Sequence, residues 1–453
     1  MLDIEVIKIL TLALAIVAGI RFIKRGDEFP ALIVGFFYLT GISRYDAVLD
    51  GKSRWCEVNY AVNFFSMTDQ IAIEALNYMF LGTAVFAVSY MIISYKRPKV
   101  KTIDNDKSFQ NFLQSKKIYI LILFGFFIII NTITRNILSN HQGGFAEGMS
   151  YFFLFKMAIG GLIMLFFLLF KNLNKKKRVS RFIFLVLLVW AAYSSYNPTA
   201  RFNFLSWMVA LTYIIVGKKN PVKKGIVYAV GGTIVLFLFL IAGNARFAFM
   251  EGASLEKQLA MAQYRMDKAE DQNMLDGFMM VLQVYPDKLD FGYGAEHLEI
   301  LTRPIPRAIW PGKPVGGYAN KLGLNNNMGG YTVGISQSIY GSFYGEGGVL
   351  GIILFSILYA WAFSKLFNTT LKYASDMRLM IYGIILTSAI PLFRGGDLPG
   401  IYAFIGMSYW PVFIFIYMYK KYLKKEKCAI ANKARITDIE TKKIHNSQIE
   451  TDL

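Results

Sequence analysis

Cysteine and histidine are almost missing, with two of the first and three of the second in 453 residues. Cys56 and Cys428 have no CxxC spacing, so neither a disulfide framework nor a zinc site is expected. No outward carboxylate cluster stands at metal-ligand spacing either, and no metal or other cofactor is anticipated. Acid is also scarce: 30 Asp and Glu face 49 Lys and Arg, and charged residues make up only 17% of the chain. Soluble domains carry about 25%, so an ordinary soluble surface is excluded. No internal repeat is visible, which counts against an inverted-repeat transporter. No nucleic-acid-binding motif gathers the basic residues on one module, and nucleic acid is excluded as a partner.

What the chain has instead is apolar length. Hydrophobic residues reach 55%, aromatics 16% and mean hydropathy +0.40, the composition of a polytopic membrane protein. Stretches of roughly 20 residues suffice to cross a bilayer. Such stretches fall near 5–20, 28–43, 71–94, 118–134, 151–170, 182–195, 203–217, 225–242, 346–363, 379–393 and 399–419. The expected fold is all-α, with about eleven transmembrane helices and one long extracytoplasmic loop that contains an amphipathic helix. Helices one to eight occupy 1–242, the loop 243–345, helices nine to eleven 346–419, and a basic tail 420–453. The first apolar run is preceded by Asp3 and Glu5 and followed by Arg21, Lys24 and Arg25, so no cleavable leader is expected.

Positive charge sets the orientation. Of the 49 Lys and Arg, 32 lie in alternate connections and the tail, among them Arg21 to Arg25, Lys96 to Lys117, Lys171 to Arg181 and Lys218 to Lys224. Such charges stay cytoplasmic. The C-terminus is therefore expected inside and the 243–345 loop outside, in a multi-pass membrane protein with membrane lipids as its surroundings.

The loop holds the most informative stretch, TRPIPRAIWPGKP from Thr302 to Pro314, with three cations and four prolines. From Ile300 to Gly345 there is no Asp or Glu. Proline fixes φ and removes backbone donors, which predicts a stiff, extended track. Guanidinium groups at Arg303 and Arg307 suit bidentate contact with phosphate, and Lys313 supplies a point charge. Arg246, Arg201 and Arg394 open or close other outward connections and add to this anion site. A rigid loop whose cations meet lipid headgroups is the alternative. Leu255, Leu259, Ala262, Met266 and Ala269 form an apolar stripe that Ser254 can cap, the expected amphipathic helix. The apolar run from Met274 to Tyr285 is expected to dip back toward the spans.

Titratable groups in or near the loop are His297, Glu296, Asp287 and Asp290, with His141 on another outward loop. Trp310, Tyr318 and Tyr331 place aromatic rings in the same loop. The Gly341 and Gly345 pair reads as helix packing.

The RPIPRAIWPGKP stretch, the long outer loop, SIYGSFYGEGGVLG leading into the next span and a late outward RGG together resemble the polytopic O-antigen polymerase family, the Wzy-type oligosaccharide repeat-unit polymerases. No arginine here has a glycine eleven positions on, a pattern of some members, so only Arg303, Arg307 and Lys313 carry over from the motif. The resemblance implies metal-independent glycosyl transfer on the outer side of the membrane. It also implies a glycan on undecaprenyl diphosphate or a similar lipid as substrate, a chain-length-regulating co-polymerase as partner, a proton acceptor among His297, Glu296 and His141, and sugar stacking on Trp310, Tyr318 and Tyr331. Two other functions fit the same architecture. An O-antigen ligase moving glycan to lipid A shares the donor, and a lipid-linked oligosaccharide flippase shares the bundle. A flippase should place ionisable groups mid-span, whereas of Lys8, Lys156, Asp69 and Glu74 all but Glu74 fall near span ends.

Overall fold

The structure is a computed structural model that describes residues 2–55, 65–96, 107–140, 157–172, 178–195, 201–234, 254, 256, 260, 273–303, 305, 309–313, 316–322, 336–373 and 375–451. Among them every regular element is helical. In chain order these are α1 (Ile4–Arg25), α2 (Phe29–Phe37), α3 (Ser43–Leu49), α4 (Asp69–Ile93), α5 (Lys107–Ser115), α6 (Lys117–Asn140), α7 (Ile159–Asn172), α8 (Arg178–Ser195), α9 (Arg201–Val216), α10 (Met274–Leu282), α11 (Ala295–Thr302), α12 (Tyr318–Lys321), α13 (Ser338–Thr370), α14 (Ser375–Arg394) and α15 (Leu398–Thr451).

Six helical segments are long and apolar enough to cross a membrane: Ile4–Arg25, Phe29–Leu49, Asp69–Ile93, Ser338–Thr370, Asp376–Arg394 and Leu398–Glu426. The pair α5 and α6, bent by 49°, gives a seventh if counted as one span. The apolar stretches expected at 151–170, 182–195 and 203–217 appear as shorter helices, and 225–242 is described only to residue 234. Large apolar side chains point away from the bundle along α1 (Ile9, Leu12, Ile23) and α13 (Leu350, Leu354). Water would penalise that surface at about 25 cal/mol per Å², whereas a bilayer does not. This is an all-helical, membrane-embedded protein.

Close packing needs small residues at the crossings. A Cβ on Gly82 of α4 would collide with the Tyr340 ring of α13, and one on Gly383 of α14 would sit 2.9 Å from Ala210 of α9. Backbones approach there because no side chain intervenes. Phe29, at the start of α2, meets the rings of Phe86, Tyr90, Phe363, Phe367 and Phe393, and so joins α4, α13 and α14 at one end.

The basic connections do share one end of the bundle. Arg21 on α1 reaches Met91 and Ser94 beyond α4, and Asp376 on α14 accepts from Lys171 at 2.9 Å and lies 3.3 Å from Lys218. We call this the basic end and its opposite the loop end. The expected polar tail differs from expectation, since α15 continues through it to Thr451. No Gly or Pro follows Pro411 before the helix ends, and Lys, Glu and Ala are good helix formers, so nothing stops it.

At the loop end, α10 is buried from Met274 to Val281 and packs on α4 and α13, as its apolar run predicts. It is pinned by a buried ion pair. Arg44 Nε and Nη2 donate to the two Asp276 oxygens at 2.8 Å each, and the Arg44 guanidinium also donates to Ser53 Oγ and to the Arg54 carbonyl. A π-helical turn, Tyr38–Ile42, joins α2 to α3 just before Arg44. Such a turn resets helical register, and here it precedes the arginine that faces α10.

Candidate functional site

The site begins with a broken helix. Within α13, Gly347 is extended (φ 178°) and Gly348 has φ 62° with ψ −144°. That second conformation is one which a side chain resists. The break leaves carbonyls of the preceding turn without helical donors, and the loop supplies them. Gly292 N donates to Gly345 O and Tyr293 N to Glu346 O, both at 2.8 Å. Tyr293 (φ 48°) and Gly294 (φ 94°) then turn the chain into α11.

Helix α11 has no capping side chain of its own at Gly294. The Glu346 carboxylate takes that role, accepting from Gly294 N and, at 3.0 Å, from Glu296 N. Orphan amides and the positive end of the helix dipole favour an acid there. His297, in the first turn so held, places Nδ1 3.1 Å from Glu346 Oε1 and Nε2 3.2 Å from the Tyr359 hydroxyl. Tyr402 on α15 donates to the Tyr359 oxygen at 3.1 Å. The imidazole lies flat on Phe355, with ring centres 4.2 Å apart. With Glu346 ionised, Nδ1 donates and Nε2 accepts, so the hydrogen bonds run from Tyr402 through Tyr359 and His297 to Glu346.

A second face of α11 carries Glu296, Glu299 and, as its C-cap, Arg303, at spacings of three and four residues. Lys321 Nζ is 3.5 Å from Glu296 Oε1, and Arg303 Nη2 is 3.4 Å from Asp397 Oδ2 in the RGGDLPG connection. Three buried carboxylate oxygens here accept no hydrogen bond from any described residue: Glu296 Oε2, Glu299 Oε2 and Asp397 Oδ1. Burial pushes the Glu296 carboxyl up to about 7; nearby Glu346, Glu299 and Asp397 act in the same direction and Lys321 opposes them. Burial also raises Glu299. Glu296 thus titrates near neutrality, where a proton acceptor is most useful.

The stretch free of acid in sequence is therefore not free of acid in space. Carboxylates from α11 and the α14–α15 connection lie beside Arg303 and Lys321. Arg303 is half-buried and engaged with Asp397. Lys313 is turned inward, its Nζ donating to the carbonyls of Arg303 (2.6 Å) and Ile305 (3.0 Å), so it closes the loop and offers no free point charge. Tyr318 is buried, with its hydroxyl toward Met280 Sδ at 3.7 Å, and presents no face to a sugar. Trp310 remains exposed. Arg394 ends α14 at this same end. Gly345 lies against the Tyr285 ring and Gly341 near Phe278, the close packing their spacing predicts.

His141, Arg246, Arg307 and Tyr331 lie outside the described residues, as do the Arg201 side chain and nearly all of the expected amphipathic helix. Sequence reasoning missed Glu346, Tyr359, Tyr402 and the role of Asp397. The signal for the first was an acid followed directly by two glycines inside an apolar run. Among the described residues no three His, Cys, Asp or Glu side chains are placed to hold a metal ion. No family model, no curated protein and no solved structure matches the chain.

Proposed function

We propose that the chain is a membrane glycosyltransferase that polymerises polyprenyl-diphosphate-linked oligosaccharide repeat units into surface polysaccharide, with the loop end on the outer side of the bacterial cytoplasmic membrane. In this reading the shorter helices and the 225–242 stretch complete about eleven spans around one long outer loop. The observation that carries the reading is the set of three buried carboxylate oxygens without donors beside a carboxyl that titrates near 7. Buried acceptors left unpaired are costly. A ligand rich in hydroxyl donors, such as a saccharide, satisfies them.

The reaction then divides between two neighbouring regions. The acceptor hydroxyl oxygen attacks the anomeric carbon of the growing glycan, and its proton passes to Glu296 Oε2. The bond from that carbon to the diphosphate breaks, and the lipid diphosphate leaves with the electron pair. Charge growing on the leaving group is met by Arg303 with Arg307, Arg246 and Arg394. His297, with both nitrogens already bonded, acts with Glu346 as a positioning pair that fixes the first turn of α11. Trp310 is the exposed aromatic left to stack on a sugar ring.

The test is the gel profile of surface polysaccharide from cells lacking this chain, complemented with the wild type, Glu296→Gln, or the double variant Arg303→Ala with Arg307→Ala. Loss of the long ladder with one repeat unit still attached is expected for the null and for both variants. Loss of every unit instead assigns a ligase or flippase, and a full ladder from the arginine double variant removes the diphosphate clamp.

A further inference from the structure

At the basic end, α1, α4, α9 and α13 terminate around the start of α14 and enclose a cavity of about 390 Å³. Seven of its lining residues are Lys or Arg and one, Asp27, is acidic. Most of these cations have local reasons to be there. Arg21 pairs with Asp27 at 2.8 Å and donates to the carbonyls that end α4, while Arg25 donates to the Tyr95 carbonyl. Lys218 lies 3.3 Å from Asp376, and Lys224 Nζ sits 5.2 Å from the centre of the Tyr213 ring. Cations at helix C-termini offset the orphan carbonyls and need no ligand.

Arg378 has no such reason. It is 7% exposed, lines the cavity, and makes no hydrogen bond or ion pair with any described residue. It also stands in the first turn of α14, the end of a helix whose dipole disfavours a cation. Its guanidinium faces the cavity with five donors and no acceptor among the described residues, and an anion bound there would complete it. Lys24 and Lys219, both exposed on the cavity wall, extend the positive field outward. Phe367, Leu371 and Leu379 give it apolar walls.

We propose that this cavity is a binding site for a phosphate-bearing anion, held by Arg378 with Lys24 and Lys219 at its entrance. The chemistry fits both the headgroup of an anionic phospholipid and a soluble phosphate ester. The site is separate from the loop-end cluster and does not rest on the glycosyl-transfer reading.

The test uses the full-length protein stripped of lipid in neutral detergent. Native mass spectrometry and thermal unfolding are followed while phosphatidylglycerol or inorganic pyrophosphate is added. Saturable binding is expected, with a rise in the unfolding midpoint. Arg378→Gln should weaken it by roughly tenfold to a hundredfold, the worth of hydrogen bonds to a charged group, and Arg378→Lys should keep part of it. Binding of the lipid alone assigns a headgroup, and binding of pyrophosphate alone assigns a soluble ligand; either supports the site. Should Arg378→Gln fail to fold, the double variant Lys24→Gln with Lys219→Gln, both at exposed positions, must weaken binding instead. Absence of saturable binding by either probe, or equal binding by wild type and folded variants, overturns the proposal.

Discussion

At the loop end, among the described residues, Glu296, Glu299 and Asp397 gather with Arg303 and Lys321, and three buried carboxylate oxygens have no donor. At the basic end seven Lys and Arg and one acid line a cavity, and Arg378 faces it with no acceptor among the described residues. The Arg44–Asp276 pair at the loop end shows what a purely structural charge looks like, since each carboxylate oxygen accepts from Arg44 at 2.8 Å and the guanidinium has further acceptors. Burial alone does not mark function; burial with an unmet hydrogen bond does. In the two proposals the sign of what is missing suggests the ligand chemistry, hydroxyl donors at the Glu296 cluster and an anion in the basic-end cavity.

The comparison breaks most sharply at Glu296. Replacing it by Gln removes the proton acceptor and should slow transfer by about 10²- to 10⁴-fold, read from lipid-linked repeat units converted by purified protein. In the wild type the rate should fall about tenfold per pH unit below 7, as the carboxyl takes up its proton. Stability moves the other way. The folded-state pKa is raised, so between the unfolded value of about 4.3 and 7 the native state binds the extra proton. Stability is then highest at low pH and declines as pH rises through 7. Glu296→Gln should abolish that decline and melt higher than wild type at pH 8. A flat wild-type profile would remove Glu296 from the mechanism.

The structural pair gives the contrast. Asp276→Ala leaves Arg44 buried and unpaired and should cost about 3–5 kcal/mol of stability, seen as a lower melting midpoint in detergent. Arg44→Met in the same chain should restore much of it. If Asp276→Ala left the midpoint unchanged, α10 would not be anchored by this pair. Glu346→Gln is intermediate. The amide oxygen can still accept from one α11 amide, but the charge facing the helix terminus and His297 is gone. Transfer should drop by roughly tenfold to a hundredfold, with only a small change in melting, in the same assays.

Much of this was legible in the sequence because it rests on composition and local chemistry. Apolar runs gave the helices, the alternation of Lys and Arg placed the basic connections at one end, and the Met274 to Tyr285 run foretold a buried α10. Glu296 and His297 were visible as titratable groups beside the proline track. Their partners were not. Glu346, Tyr359, Asp397 and Tyr402 lie 50 to 106 positions further along the chain than Glu296 or nearby, and only the break at Gly347 and Gly348 brings the first of them to α11. The inward turn of Lys313 was equally hidden, since a lysine between prolines reads the same whether it faces a ligand or caps its own loop.

The smallest expected effect sharpens the role of the tyrosines. Tyr402 donates to Tyr359, which in turn meets His297, so the chain is either a route for protons or a brace for the imidazole. Tyr402→Phe removes one neutral hydrogen bond, worth about 1 kcal/mol. A brace predicts less than about tenfold loss of transfer and no change in the pH profile, because Glu296 still receives the proton. A proton route predicts that Tyr402→Phe lowers the rate as far as Glu296→Gln and shifts the pH dependence with it. The bonded state of both His297 nitrogens and the unmet Glu296 Oε2 favour the brace. A large loss in Tyr402→Phe would move the proton acceptor from one face of α11 to the other.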